Sequence, residues 1–229
     1  MTLGTPRLHR RRTTSTNELA RELAAAGAPH GTLVTASEQT AGRGRQGRVW
    51  SAPPGRALLC SIVLRDPPRL LPLAAGAAVA EIVGDNAQIK WPNDVLVAGR
   101  KVAGILVEGR PQEGWAVLGI GVNVALRPDD FPAELRGSAA GLGLEPDAIE
   151  PTLVSLLESL ERWLSAQPSD VLEAVRRRDA LLDRDVRWAS GQGRGVGIDG
   201  DGRLLVATDS GRVALDAGEV HLLAAVGAA

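Results

Sequence analysis

The chain has 229 residues, a formal net charge of −1 and 44% hydrophobic residues. This length accommodates one large domain with a small one, and the near-neutral charge excludes a global field that would attract nucleic acid or a membrane. Because no apolar run approaches the ~18 residues that span a bilayer and no signal-peptide pattern follows the basic N-terminus, we expect a cytoplasmic protein.

The apolar periodicity predicts a mixed α/β domain. In chain order we predict a helix over 17–26 capped by Ser15 or Thr16, strands over 32–39 and 57–64, a helix over 70–83, short strands over 89–91, 95–97 and 102–108, a strand over 115–126, and helices over 151–166 and 169–182. Cys60, the single cysteine, lies in an apolar run and is predicted to be a buried strand residue rather than a nucleophile.

The pattern changes after Leu182, where short alternating runs are separated by glycine and aspartate. This spacing predicts a small antiparallel barrel. We therefore predict two domains, residues 1–182 and residues 183–229, of which the second is too small to hold a large pocket alone.

The loop GRGRQGR, from Gly42 to Arg48, contains three arginines and three glycines. Its glycines match G-x-G-x-x-G, but the following Val-Trp-Ser-Ala-Pro-Pro cannot open the helix that a dinucleotide site needs. Unpaired arginines should keep this loop mobile until a polyphosphate orders it through bidentate hydrogen bonds. A solvated basic loop and a nucleic-acid loop are the alternatives, and the second is disfavoured by the net charge.

The segment IKWPNDVLVAGRKVAGIL contains both of the chain's lysines, Lys90 and Lys101, whereas the chain has 24 arginines. An ammonium differs chemically from a planar guanidinium, so these positions indicate a role that arginine does not fill. Asp94 lies between the two lysines, and a hairpin through Ala98-Gly99-Arg100 can bring all three together. Two ammonium groups and a carboxylate suit an anionic substrate with Mg²⁺, while the alternative is a structural turn with surface salt bridges.

Four motifs in this order resemble those of biotin protein ligases. They are STNELA (residues 15–20), EQTAGRGRQGRVW (38–50), KWPNDVLVAGRKVAGIL (90–106) and GIGVNV (119–124). The resemblance covers almost the whole chain, and its two middle motifs are highly specific. It implies an α+β fold: a mixed-sheet catalytic domain flanked by helices, similar to class II synthetases, followed by an SH3-like β-barrel.

The resemblance also implies a two-step ligase reaction and assigns roles to residues. Biotin and ATP give biotinyl-5′-AMP and pyrophosphate, and a lysine of a biotin carboxyl carrier protein domain then takes the biotinyl group. The implied catalytic residues are Lys101, Arg45, Asp94 and Lys90. The implied biotin-binding residues are Ser15, Thr16, Asn17, Gln39, Gly42, Arg43, Gly44, Arg45, Lys101 and Gly104. The implied ATP-binding residues are Arg45, Arg48, Trp50, Asn93 and Asn123, and Asp94 is the candidate contact for Mg²⁺.

Some biotin ligases carry an N-terminal winged helix-turn-helix, but only 14 residues precede Ser15 here. We therefore expect a form without the DNA-binding domain, with Arg7 to Arg12 as an edge strand rather than a DNA arm. The expected partners exclude DNA and membranes, and the expected state is a monomer or a weak homodimer. The role of Trp91 stays open.

Two rival functions remain at this stage. A lipoate protein ligase shares the implied fold and adenylation chemistry, although GRGRQGR and KWPND favour biotin. A non-catalytic module that senses biotinyl-adenylate is the rival from another class. The presence of both lysines and of the arginine loop argues against it.

Overall fold

The computed structural model describes residues 2–110, 113–216 and 218–223, with only the backbone of Arg110. It contains a seven-stranded sheet with four helices, followed by a five-stranded antiparallel sheet. This confirms the predicted α+β class. Among the described residues, no helix has the length and apolarity needed to cross a membrane.

The large sheet is mixed because its first pair of strands is parallel and all other pairs are antiparallel. The strand order is β1-β2-β3-β7-β6-β5-β4, so β1 is an edge strand, as predicted. The strands are β1 (Arg7–Arg10), β2 (Leu33–Ala36), β3 (Leu58–Arg65), β4 (Ala87–Lys90), β5 (Asp94–Val97), β6 (Arg100–Arg110) and β7 (Trp115–Val122).

Helices cover both faces of this sheet. Because successive strand residues point to opposite sides, adjacent residues pack under different helices. Val34, Val63 and Val117 pack beneath α1 (Thr16–Ala25). Their neighbours Leu33, Ile62 and Leu118 enter the larger core under the other helices. Those helices are α2 (Leu71–Val83), α3 (Ile149–Ser165) and α4 (Pro168–Arg177).

Two arginines satisfy carbonyl groups where helices end, a need that every helix has. Arg65 donates to the carbonyl of Ala24 in the last turn of α1 and to the carbonyl of Ala28 beyond it. Arg178 donates to the carbonyls of Gly84 and Ala87 after α2. Ser15 occupies the predicted N-cap position of α1, but its side chain makes no capping hydrogen bond.

The C-terminal sheet packs directly against the larger unit. Val186, Leu204 and Val206 belong to the same apolar core as Leu71 of α2. The order of its strands is β11-β10-β9-β8-β12, and all of their pairs are antiparallel. They are β8 (Asp185–Trp188), β9 (Gly191–Ile198), β10 (Leu204–Thr208), β11 (Gly211–Leu215) and β12 (His221–Leu222). The domain boundary at residue 183 stays a prediction.

Candidate active site

A cleft lies on the face of the large sheet that carries α1. Its floor includes one row of residues that are paired across five strands: Leu59, Gly121, Gly104, Asp94 and Lys90. Since paired residues share a face of the sheet, this register puts Gly121 of one motif in line with Gly104, Asp94 and Lys90 of another.

A β-bulge directs Lys101 into the cleft. Val95 pairs with Ala103 and Leu96 pairs with Lys101, so Val102 is an extra residue in β6. Val102 and Ala103 both enter the core, so Lys101 points to the cleft side of the sheet instead of the side that strict alternation would give it. Lys101 Nζ consequently lies 2.6 Å from Asp94 Oδ1. Sequence spacing predicted that these groups could converge, and the bulge is the structural reason that they do.

The turn that joins β5 to β6 is tighter than predicted. Ala98 and Gly99 both have positive φ values, 48° and 74°, and Val97 pairs directly with Arg100. This is the geometry of a two-residue hairpin, in which Arg100 already belongs to β6. Lys101 is therefore the second residue of the return strand, which was predicted to begin at residue 102.

Positive charge accumulates at one end of the cleft. Burial lowers the pKa of Lys90, and Lys101 and Arg48 lower it further, against the opposing effect of Asp94. Burial also lowers the pKa of Arg45, again against Asp94. These cations are partly desolvated and repel one another, so an anion bound here would be attracted by all of them and would offset their repulsion.

Uncharged polar side chains line the other end of the cleft. Thr16 donates to Gln39 Oε1 through its backbone nitrogen at 2.7 Å and its hydroxyl at 3.0 Å. Ser61, a polar residue in an apolar strand, contacts Thr16 Oγ1 at 2.8 Å and Asn17 Oδ1 at 2.6 Å. Asn17 Nδ2 donates to Glu108 Oε2 at 2.9 Å. Buried amides and hydroxyls held in this way suit a neutral ligand with both donors and acceptors.

Trp50 separates the two ends. A Cβ atom on Gly121 would lie 2.6 Å from its ring, and one on Gly104 would lie 3.0 Å from it. The ring therefore rests on two positions where a side chain would not fit. Lys101 Nζ lies 5.6 Å from the ring centroid. The Nε1 atom of Trp50 is buried and has no hydrogen-bond partner in the described part of the chain, so it is an available donor.

The arginines of the GRGRQGR loop are paired, contrary to the expectation of unpaired cations. Arg43 lies 3.4 Å from Glu18, and Arg45 Nη1 donates to Asn93 Oδ1 at 3.1 Å. Arg48 forms an ion pair with Glu219 of the C-terminal module. The partners come from distant parts of the chain, and for that reason local sequence could not reveal them. The loop's mobility stays a prediction.

Most of the predicted site residues line this cleft, and two do not. The lining includes Ser15, Thr16, Asn17, Gln39, Arg43, Gly44, Arg45, Arg48, Trp50, Lys90, Asn93, Asp94, Lys101 and Gly104. Gly42 lies beside it, where a Cβ would be 2.3 Å from the Trp50 carbonyl oxygen. Asn123 is buried and donates to the carbonyls of Ala140 and Lys101. The roles of all these residues as ligand contacts stay predictions.

Sequence analysis missed the residues that other elements contribute. Glu219 and Val220 bring the C-terminal module to the cleft, although this module was expected to hold no large pocket alone. Trp91 lines the cleft and also donates through Nε1 to Gly202 of that module at 3.0 Å, which gives the residue a structural role. Cys60 is buried as predicted, and burial raises its pKa to about 12. In the sequence, two features could have indicated the polar cluster around Asn17: Ser61, a lone polar residue in an apolar strand, and Glu108.

A divalent cation would find few protein ligands here. No group of three or more histidine, cysteine, aspartate or glutamate side chains that could hold a metal occurs in residues 2–110, 113–216 and 218–223. Asp94 is one carboxylate, already paired with Lys101.

Comparisons with known proteins agree with the motifs. The model of the biotin/lipoate A/B protein ligase family matches residues 9–124, and the model of the biotin protein ligase C-terminal domain matches residues 189–223. The bifunctional ligase/repressor BirA of Bacillus subtilis is 35% identical, over 91% of this chain and 71% of its own. The biotin–[acetyl-CoA-carboxylase] ligase of Mycobacterium tuberculosis is 35% identical, over 92% and 86%.

Solved structures show the same relationship in three dimensions. The biotin protein ligase from Aquifex aeolicus, in complex with biotin and ATP, superposes with a TM-score of 0.81. It is 28% identical in sequence, and the match covers 96% of this chain and 99% of that one.

Proposed function

The chain belongs to the biotin/lipoate A/B protein ligase family, and we propose that its cleft carries out both steps of a biotin protein ligase with the residues described above. The observation that carries this conclusion is one continuous cleft with a neutral polar end, a cationic end and Trp50 between them. Such a cleft suits biotin at the first end and the phosphates of ATP at the second.

In the first step, a biotin carboxylate oxygen attacks the α-phosphorus of ATP, and pyrophosphate leaves. Phosphoryl transfer depends on positioning and on neutralising charge, for which cations are the suitable groups. Lys101 reaches the junction of the two ends of the cleft, so we assign it to the oxygens that gain charge there. Arg45 and Arg48 would hold the phosphates, and Arg43 and Gly44 would cover the biotin side.

The nucleotide base would lie against Trp50, whose unpartnered Nε1 and aromatic face offer a donor and a stacking surface. Asn93 and Asn123 are assigned to the same ATP region, Asn93 through its contact with Arg45. Mg²⁺ would neutralise phosphate charge, with Asp94 as its candidate protein contact.

In the second step, the ε-amine of a carrier lysine attacks the acyl carbon of the mixed anhydride. An amide forms, AMP leaves, and the amine loses a proton. We place this approach at Asp94 and Lys90, since both are at the cationic end of the floor. The proposed partner is a biotin carboxyl carrier protein domain, and the proposed location is the cytoplasm.

Biotin-dependent exchange of pyrophosphate into ATP is the test of this function. Exchange with biotin, followed by transfer to a carrier domain, is the expected result. Exchange supported by lipoate alone would assign the chain to the lipoate branch of the family. Tight binding of biotinyl-5′-AMP without any exchange would identify a sensor rather than an enzyme.

A further inference from the structure

Glu108 lies outside the residues that the motifs assign to substrate binding, yet it touches one of them. It belongs to β6, and its carboxylate accepts the Asn17 Nδ2 hydrogen bond at 2.9 Å. Its other oxygen lies 3.5 Å from Arg21 of α1. Glu108 therefore joins a strand of the floor to the helix that carries the biotin-side motif.

A carboxylate decides which way an amide points. An ionised glutamate only accepts hydrogen bonds, so Asn17 must present Nδ2 to Glu108 and Oδ1 to the opposite side. On that side Ser61 Oγ lies 2.6 Å away, as a donor. The amide is also held from below, because a Cβ on Gly119 would lie 2.0 Å from Asn17 Oδ1.

Gln39 is fixed in the same way from the other side of the cluster. Its Oε1 accepts two hydrogen bonds from Thr16, so its Nε2 is left as the donor. The neutral end of the cleft thus carries an oriented acceptor, Asn17 Oδ1, and an oriented donor, Gln39 Nε2. A cyclic urea, with one carbonyl and two N–H groups, requires both kinds of partner.

We propose that Glu108 is a positioning residue that sets the hydrogen-bond polarity of the biotin pocket by fixing the Asn17 amide. This inference rests on the proposed function, since biotin supplies the urea. Glu108 acts through Asn17 and need not touch the ligand. A rotated Asn17 would present a donor where the ureido N–H groups need an acceptor, and an unmet buried polar group weakens binding.

The test is calorimetric titration of biotin, without ATP, into the whole protein and its variants. Glu108→Leu should weaken biotin binding about tenfold, the effect of one misdirected hydrogen bond. Glu108→Gln should restore most of the affinity, because the glutamine Oε1 can accept the same Asn17 bond. Glu22→Leu, an exposed change on the same helix as Asn17, should bind biotin like the wild type.

A double-mutant cycle separates positioning from general stability. In an Asn17→Ala background, Glu108→Leu should have no further effect on biotin affinity, whereas a structural role would add its full effect. Thermal melts of each variant show whether it folds. If the wild type binds biotin and Glu108→Leu binds it equally well, this inference is wrong. If the wild type does not bind biotin, the proposed function fails instead.

Discussion

At the residue scale, the two lysines occupy different environments although they face the same cleft. Lys101 is directed by a bulge toward Asp94 and Trp50, at the junction between the neutral and cationic ends. Lys90 ends β4, opposite Asp94, where burial and neighbouring cations disfavour its charge. The sequence singled out both lysines, but it could not predict the bulge that gives them different environments, because the bulge depends on strand pairing.

Lys101→Ala should reduce the rate of adenylate formation about 10²- to 10³-fold, since a charge aimed at the transition state is lost. Biotin-dependent pyrophosphate exchange measures this rate. Arg100→Ala, at the exposed preceding position, is the matched control and should exchange at the wild-type rate. Near-normal exchange in the Lys101→Ala protein would remove Lys101 from the mechanism.

Lys90 should make stability depend on pH. Its pKa in the folded protein lies below the ordinary value of 10.5, so the folded state loses this proton before the unfolded state does. Stability therefore rises as the pH climbs toward that value. Lys90→Met should stabilise the protein at about pH 7, and its advantage should shrink at about pH 10. Urea unfolding at both pH values measures this, and a constant difference would contradict it.

At the scale of elements, the order of helices and strands in the larger unit could be predicted from periodicity. Most ends of the observed helices and strands differ from the predicted ends by one to three residues, because tertiary packing decides where hydrogen bonding stops. What periodicity could not give is register. The row of Leu59, Gly121, Gly104, Asp94 and Lys90 exists only once five strands are paired.

The two glycines of that row leave room for the Trp50 ring, and this role can be tested. Gly121→Ala places a methyl group where the Trp50 ring rests, so the ring must move. We expect ATP binding to weaken about tenfold, with biotin binding less affected. Gly137→Ala is the control, because a Cβ there meets nothing within 4 Å. Unchanged ATP binding in the Gly121→Ala protein would separate Trp50 from the nucleotide.

At the scale of the molecule, the cleft is assembled by both sheets. Glu219 pairs with Arg48 of the arginine loop, and Gly202 accepts a hydrogen bond from Trp91 in the KWPND motif. Sequence analysis predicted the C-terminal module but not these contacts, because they join positions that are more than a hundred residues apart. Two motifs of the larger unit are thus held by the module beside it.

Trp91→Phe tests whether this contact stabilises the whole protein. It removes the hydrogen bond to Gly202 and shrinks a side chain that is only 3% exposed, so we expect a loss of about 1 to 3 kcal/mol in unfolding free energy. Trp188→Phe is the control, because its Nε1 bonds to Ser190 inside the C-terminal module. If the modules unfold as one unit, Trp91→Phe should lower a single transition. Of these two tryptophans, Trp91 is the one that bonds across the contact between the modules. If Trp91→Phe loses no more stability than Trp188→Phe, the modules are stabilised separately.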